Sequence, residues 1–387
     1  MELFLLDNLL RRMKVVDRFE SLIWTERFKD IGDFELTIHT SHEHRSLFTV
    51  GSLWALNESQ RVMIVESVEK TKDEEGRDMI TITGPSIEQI IDDRVAHDGL
   101  NGIDGNPNWP HTATPPEVAR WVFKRMCIDG YLSPLDKIPF IGVENKFPRD
   151  TIAEPTEVIT LEMERPTVLE VIKQLCDVYG MGFRLTRDGD LSKLNFNIYM
   201  GSDRTTRQTT YSPVIFSPAL DNLTDVTEIV SVAGYKNVAY VYSKFGAQMV
   251  YAQPDDATLS GFNRRVLQVE ASDIELPAGT ALNAALQQRG KEELAKHRRM
   301  MAFDGEISQI SKYKYGVHYQ LGDIVEMRSA DNASNNMRVS EQIFISDSSG
   351  ERSYPTLTLD QFLAPGTWLA WDYNQVWNDA VGTWQEV

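Results

Sequence analysis

The densest group of side chains that could bind a metal ion consists of His39, His42, Glu43 and His44. On a β-strand, His42 and His44 would project from the same face, and imidazole nitrogens at that spacing can chelate a metal. However, the group follows an apolar strand pattern that ends at Ile38, and it is interspersed with Thr and Ser, which are typical of a polar loop. We interpret it as a solvated loop and predict no metal site there. Metal binding is the alternative interpretation.

The sequence shows none of the short motifs that carry common enzymatic chemistry. There is no Gly-x-Ser-x-Gly turn, phosphate-binding loop, dinucleotide fingerprint or His-Glu-x-x-His motif. The two cysteines, Cys127 and Cys176, are too few for a four-ligand zinc site and lie in apolar helical patterns, which indicates buried free thiols. A lysozyme-like carboxylate pair would need two of the 57 acidic residues to converge, and no pair stands out. We therefore predict no cofactor and no enzymatic activity.

Half of the eight tryptophans are concentrated in the last 20 residues, at Trp368, Trp371, Trp377 and Trp384. Such large amphipathic rings suit three roles, which are packing against a partner protein, completing a local core, or stacking on sugar rings. We take these four residues as candidate partner-binding residues. The local-core and sugar-binding interpretations stay open.

The elements that must position these residues are mostly β-strands. Residues 20–84 contain five short alternating segments bounded by turn residues, and further strand patterns occur in residues 211–252 and 304–359. Helices are indicated where a Ser or Thr box precedes apolar residues at helical spacing. We predict a short helix that starts with the box Ser86–Gln89, helices at Thr114–Ile128 and Thr167–Gly180 and, from its good helix formers, a helix at Ala281–Met301.

These patterns predict a β-dominated α+β fold with two small tube-like β-barrels and an inserted small α/β domain. The expected order is a first β-barrel domain over 1–92, an irregular or helical insertion over 93–165, a small helix-plus-hairpin domain over 166–210, a second β-barrel domain with a flanking helix over 211–365, and a Trp-rich C-terminal tail over 366–387.

Two series of strands agree in strand length and in the placement of their turns. Each series has a polar loop after its first strand and a Gly-containing acidic turn after its second. The resemblance indicates either a duplicated barrel or only the general likeness of β-meanders. The first series is Gly51–Leu56, Arg61–Glu69 and Met79–Thr83, and the second is Gly322–Met327, Met337–Ile345 and Thr356–Leu359.

The composition describes an acidic, packed protein of 387 residues. Apolar residues make up 42% and charged residues 25%, which excludes a largely disordered chain. The net charge of −18 and the scattered basic doublets argue against specific nucleic-acid binding, which depends on clustered Lys and Arg. The apolar stretch Leu3–Leu6 is too short for a secretory signal, and Gln208–Leu220 falls short of the roughly 18 apolar residues of a membrane span. We expect a soluble protein from a reducing compartment.

Six segments resemble, in order, segments of the siphophage minor tail proteins that form the tail-tip or baseplate hub. Gly32-Asp33-Phe34-Glu35-Leu36 is similar to that family's opening Gly-x-Phe-Glu-Leu strand pair, and residues 179–183 match its Tyr-Gly-x-Gly-Phe turn. Residues 319–325 resemble its Tyr-x-Leu-Gly-Asp-x-Val strand, whereas residues 98–157 match no pattern of the family. The six segments are Trp24–Ile38, Val62–Gly84, Ile87–Arg94, Thr167–Phe183, Phe216–Asn237 and Tyr315–Met327.

The resemblance implies a structural hub, related in fold to the baseplate hub of contractile phages and built as a homotrimer. Such a hub closes the distal end of the tail tube and carries host-recognition parts. It would lie in the tail tip of the virion after assembly in the host cytoplasm. The implied partners are the distal tail or tail tube protein, the tape measure protein, and other tail-tip and receptor-binding proteins. An acidic lumen would repel the DNA backbone, and the net charge of −18 suits that role.

The alternative function is a cell-wall (peptidoglycan or glycan) hydrolase or a glycan-binding tail module that uses the Trp-rich end. The feature that would favour it is a convergent acid pair, or a platform of tryptophans, in a cleft. An ordinary soluble enzyme is disfavoured because the sequence has no cofactor or nucleophile motif.

Overall fold

The computed structural model describes residues 1–72, 76, 78–96, 111–131, 133–144, 150–161, 166–188, 193–298, 300–307, 312–328 and 334–358. Within these residues the fold is β-dominated, with 22 strands and three α-helices. The predicted α+β class is therefore confirmed. Among the same residues, no helix is both long enough and apolar enough to cross a membrane.

The first part of the chain alternates strands with two of the three helices. Its helices are α1 (Pro115–Phe123) and α2 (Val168–Tyr179). Its strands are β1 (Leu3–Leu6), β2 (Arg12–Val16), β3 (Ser21–Arg27), β4 (Asp33–His39), β5 (Leu53–Leu56), β6 (Val62–Ile64), β7 (Ser67–Lys72), β8 (Asp78–Pro85), β9 (His111–Ala113), β10 (Ile141–Glu144), β11 (Ile159–Leu161), β12 (Gly182–Asp188) and β13 (Lys193–Tyr199).

The remaining part contains nine strands and the helix α3 (Thr280–Ala295). Its strands are β14 (Ile215–Phe216), β15 (Leu223–Ser231), β16 (Val238–Ser243), β17 (Gly246–Tyr251), β18 (Val266–Glu270), β19 (Met300–Ile307), β20 (Ile324–Arg328), β21 (Ser334–Asp347) and β22 (Gly350–Thr358).

One large sheet contains strands from both predicted barrel segments. Its neighbours run β15-β19-β22-β21-β3-β4-β8-β7, with β20 beside β21 and β14 beside β20. The two predicted barrels are therefore corrected, because their strands share this sheet and no sheet closes into a barrel within the described ranges. Alternation in the sequence identifies the buried face of each strand, but it does not identify which strand edge pairs with which.

Helix α2 forms as the local sequence predicts. Thr167 and Glu170 make the reciprocal capping box, with the Glu170 N–H donating to Thr167 Oγ1 at 3.1 Å. Gly180 ends the helix in the left-handed conformation, at φ = 67°. The Ser86 box is wrong, because Ser86 Oγ instead accepts the Gly32 N–H at 2.9 Å and only a 3-10 turn follows.

Helix α3 differs from the prediction in both length and position. It ends at Ala295, and Met300 already belongs to strand β19. Its Leu282, Leu286 and Leu294 pack on the three-stranded sheet β17-β16-β18, so the helix does not flank a barrel directly. Residues 232–298 thus form an inserted unit with its own small core between β15 and β19.

A buried ion pair joins the large sheet to the unit of α1, α2 and the sheet β10-β13-β12, here called the small α/β domain. Arg61 and Glu88 pair directly, with side chains 5% and 0% exposed. Arg61 also donates to the Arg27 carbonyl oxygen at 3.3 Å, and Glu88 accepts the Leu185 N–H of strand β12 at 2.8 Å. The pair therefore holds a strand of the sheet, the 3-10 turn and the hairpin β12–β13 in one arrangement.

We predict that Glu88→Ala lowers the free energy of unfolding by about 3–5 kcal/mol, because it leaves the Arg61 guanidinium buried without its counter-charge. The measurement is urea unfolding monitored by tryptophan fluorescence. Asp78→Ala is the matched control, since Asp78 pairs with Lys72 and both side chains are more than half exposed; its effect should stay within about 0.5 kcal/mol. Equal losses for the two variants would contradict this role of Glu88.

Candidate assembly surface

The large sheet consists of two modules with the same strand order. In the first module the neighbours are β3-β4-β8-β7, and in the second they are β15-β19-β22-β21. All adjacent pairs in both modules are antiparallel. The strand order expected from a duplication is therefore present, although the modules are open sheets.

The match extends to a fifth strand. Strand β20 pairs with the first half of β21, and β5 pairs with β6 in the same antiparallel sense. Strands β6 and β7 together correspond to the long strand β21, because Met63 bridges to Ser86 while the Glu66 N–H donates to the Thr83 carbonyl at 3.0 Å. Strands β6 and β7 therefore both lie alongside β8, just as β21 lies alongside β22.

The two modules meet along a line of backbone pairing, here called the seam, in which Glu341–Ser346 of β21 pairs with Leu22–Arg27 of β3. Phe344 lies opposite Trp24, and both side chains are buried. Arg27 Nε donates to Glu341 Oε1 at 2.8 Å across the seam. The seam is thus hydrogen-bonded, packed and charge-paired within one chain.

Strands β7 and β15 form the two ends of the large sheet. Over the described residues, each pairs with a single neighbour, β8 and β19 respectively. Five of the six residues of β7 are exposed, and Val68 is half-buried. An edge strand presents backbone donors and acceptors to an incoming strand, and lysines on an edge, such as Lys70 and Lys72, discourage pairing with unsuitable chains.

The sheet face opposite the buried core is rich in hydroxyl and acidic side chains. Glu35 lies opposite Thr83, and Thr37 and Glu69 both lie opposite Thr81. All five are exposed or half-buried, whereas the intervening Leu36 and Ile82 are fully buried. On strands β4, β8 and β7 this face therefore combines small polar groups with negative charge.

The histidines at residues 39–44 are engaged by protein groups. His39 Nδ1 lies 2.6 Å from Ser41 Oγ, and His42 Nε2 lies 2.8 Å from the Arg18 carbonyl oxygen. The rings of His42 and His44 have centroids 5.8 Å apart. Among the residues that the structure describes, no three His, Cys, Asp or Glu side chains come together as metal ligands. The absence of a metal stays a prediction.

Both cysteines are buried free thiols, as the apolar patterns around them predict. Burial raises the pKa of the Cys127 thiol to about 12 and also raises the pKa of Cys176. Neither thiol is therefore a candidate nucleophile.

A second polar joint fastens the small domain to the second module around Asp323. This carboxylate accepts the Ser202 N–H at 2.8 Å, the Gln320 N–H at 3.0 Å and Arg204 Nε at 3.3 Å. The backbones approach closely here, since a Cβ at Gly201 would lie 2.1 Å from the Gly322 carbonyl oxygen.

Asp323 and Asp150 line the same small cavity, so they are a candidate acid pair. Asp150, however, accepts the Met200 and Gly201 N–H groups at 3.0 and 3.2 Å. Both carboxylates are thus occupied in holding the backbone. Burial raises the pKa of Asp323 to about 6, against the opposing effects of the Ser202 N–H and Arg204.

This raised pKa predicts a pH dependence of stability. Between about pH 4 and pH 6 the folded protein binds more protons at Asp323 than the unfolded chain does, so stability from this residue is complete below pH 4 and is lost as pH rises through 6. Relative to Asp323→Asn, the wild-type free energy of unfolding should fall by at most roughly 3 kcal/mol over this interval. Thermal unfolding at a series of pH values measures the difference. A wild-type curve parallel to that of Asp323→Asn would contradict the raised pKa.

The four candidate partner-binding tryptophans, Trp368, Trp371, Trp377 and Trp384, lie outside the described residues. The sequence predictions do not include the open edges of β7 and β15, because they take large aromatic side chains as the signal of a partner surface. The available signal was the segment Ser67–Lys72, where alternation continues with a single apolar residue, as expected of an exposed edge strand.

The fold is that of phage tail proteins. The tail protein from Neisseria meningitidis MC58 superimposes with a TM-score of 0.60 at 14% identity, covering 93% of this chain and 97% of that protein. The 43 kDa tail protein of prophage MuSo2 from Shewanella oneidensis gives 0.57 at 15% identity over 92% and 98%. The prophage tail protein gp18 from Listeria monocytogenes EGD-e gives 0.51 at 14% identity over 98% and 100%.

Residues 2–356 match the model of the siphovirus ReqiPepy6 Gp37-like protein family, and the chain belongs to this family. The expected resemblance to siphophage tail proteins is therefore confirmed, and the chain is a phage tail protein. No curated protein sequence matches it.

Proposed function

We propose that the chain is a structural hub that closes the distal end of the phage tail tube as a homotrimer. The observation that carries this proposal is the pair of modules with equal strand order in a single sheet. Three chains would contribute six such modules, and six similar modules suit a tube built from six-fold rings. A trimer with one module per chain would have only three modules and would not match a six-fold ring in this way.

The polar face of the sheet supports a place at the lumen. In a closed ring, the side with the cores around Trp24 and Phe216 would lie outward, and the side with Glu35, Thr81 and Thr83 would line the channel. A hydroxyl-rich, acidic lining lets DNA pass without binding its phosphates. The chain's net charge of −18 has the matching sign.

The remaining surfaces would serve the other parts of the tail. We assign the ends of the ring to the distal tail or tail tube protein and the tape measure protein. The periphery would carry further tail-tip and receptor-binding proteins, and so host recognition. The family makes the chain a virion-associated component, and the tail-tip position and assembly in the host cytoplasm are part of this proposal.

We predict that the chain forms a three-fold ring of about 132 kDa, three times 44.0 kDa, in the assembled particle. Cryo-electron microscopy of intact tails measures the symmetry at the distal end of the tube. Six copies per ring, or a single asymmetric copy, would overturn the trimer. A trimer placed away from the tail tip would instead overturn the hub role.

We also propose that the chain is not an enzyme. The acid pair at the Asp150–Asp323 cavity is engaged by backbone N–H groups, which supports a structural role. The purified chain should leave host cell walls intact in a zymogram, with lysozyme as the positive control. Clearing by the wild-type chain that is lost in Asp150→Asn would favour the hydrolase alternative.

We predict that deleting residues 366–387 leaves the fold intact and weakens binding to other tail proteins, because we assign Trp368, Trp371, Trp377 and Trp384 to partner packing. Calorimetric melting of the shortened chain and co-purification with the remaining tail-tip proteins measure the two effects. Loss of cooperative melting would favour a local core. Unchanged partner binding together with lost binding to cell-wall glycan would favour sugar stacking.

A further inference from the structure

We infer that neighbouring copies of this chain join by antiparallel pairing of β7 in one copy with β15 in the next, in the register Lys70 opposite Glu228. The inference rests on the proposed trimer and names the surface that closes it. It follows from the seam, because the seam shows how the last strand of one module, β21, pairs with the first strand of the other, β3.

The register of the first module can be matched to that of the second strand by strand. Ile64 occupies the position that Arg338 has in the second module. Ile64 pairs with Leu53, the first residue of β5, and Arg338 pairs with Ile324, the first residue of β20. Counting three residues onward in each chain segment places Ser67 at the position of Glu341.

The length of the available edge agrees with this match. The seam uses six residues of β21, Glu341–Ser346, and β7 consists of six residues, Ser67–Lys72. In the second module, β3 pairs with the outer edge of Glu341–Ser346. In the first module, over the described residues, the corresponding edge of β7 is open.

The same match identifies the strand that should fill the edge. Thr83 pairs with Ser67 as Thr356 pairs with Glu341, so β22 matches β8 with Thr356 at the position of Thr83. Thr83 pairs with Glu35 as Thr356 pairs with Asp304, so Asp304 occupies the position of Glu35.

The last step reaches β15, the open edge at the other end of the sheet. Glu35 pairs with Ile23, and Asp304 pairs with Thr227, so Thr227 occupies the position of Ile23 in β3. Strand β15 therefore occupies in the second module the position that β3 occupies in the first. In a ring of copies, β15 of one copy would therefore lie beside the open edge of β7 in the next copy.

Transferring the seam register then fixes the residue pairs between copies. In the seam, Ile345 lies opposite Ile23 and Phe344 lies opposite Trp24. The five pairs expected between copies are Ser67 with Ser231, Val68 with Val230, Glu69 with Ile229, Lys70 with Glu228, and Thr71 with Thr227.

These pairs are chemically suited to each other, although the register was derived from backbone positions alone. Opposite charges meet at Lys70 and Glu228, two β-branched apolar residues meet at Val68 and Val230, and two threonines meet at Thr71 and Thr227. Cross-strand pairs of these kinds stabilise sheets, whereas like charges directly opposite destabilise them.

The pairing also leaves no open edge in the large sheet. Each chain contributes the eight strands from β15 to β7, so three chains joined in this way form a continuous ring of 24. Because the contact is head-to-tail, it must close on itself to avoid an open filament, and a closed ring removes every edge.

Cysteine cross-linking in particles assembled from variant chains tests the register. The pairs Thr71→Cys with Thr227→Cys and Lys70→Cys with Glu228→Cys should each be opposed, and because the two kinds of pair alternate, one of them is the closer, non-hydrogen-bonded pair. The native Cys127 and Cys176 are buried, so they do not interfere. Mild oxidation should link three chains, seen on a non-reducing gel.

The matched controls combine the same substitutions out of register. Thr71→Cys with Glu228→Cys and Lys70→Cys with Thr227→Cys place the thiols on opposite faces of the sheet, since side chains alternate along a strand. Neither control should cross-link. Linking in the controls, or in none of the four variants of a trimeric particle, would overturn the register while leaving the trimer and the proposed function in place.

Charge reversal gives an independent readout. Lys70→Glu or Glu228→Lys alone places like charges opposite each other at three junctions, at a cost of roughly fivefold each, so the yield of complete tails should fall by about a hundredfold. The double variant should restore the yield to near the wild-type value. Equal losses in the single and double variants would overturn the pairing, and a particle without three-fold symmetry would overturn the proposed function instead.

Discussion

Backbone hydrogen bonding along strand β21 is the interaction on which the arrangement of both modules depends. The first half of this strand is paired by β20 and its second half by β3, which is distant in sequence. One strand therefore closes its own module and also binds the other. The core around Trp24 gains Phe344 in this way, so apolar packing crosses the junction together with the hydrogen bonds.

Two buried ion pairs complete what the strand pairing begins. Arg61–Glu88 fixes the small α/β domain against the first module, and Arg204–Asp323 fixes it against the second. Buried ion pairs add little net stability, but each requires a specific geometry because a displaced charge would remain unpaired. The small α/β domain thus contacts both modules through buried polar groups, in addition to the contact that the modules make through the sheet.

The sequence predicts those features that depend on neighbouring residues. Thr167, Glu170 and Gly180 specify helix α2 by local hydrogen bonding, and the alternation in β3 and β4 follows from burial of one face. The sequence does not reveal that β3 pairs with β21, since any exposed edge can satisfy any other. The same limit applies to the proposed assembly surface, because an edge strand binds through its backbone and its side chains carry little signal.

The two modules share their strand order but differ in the connection between their first two strands. Between β3 and β4 the chain makes a short turn of residues 28–32, whereas between β15 and β19 it inserts residues 232–298 with their own sheet, helix and core. A ring closed through the strands can therefore approach six-fold symmetry where it meets a tube. In the proposed trimer the inserted unit would occur only at every second module, so the ring would be three-fold at that unit. Under the proposed function, a duplicated module with an unequal connection would be a physical means of joining a six-fold tube to a three-fold tip.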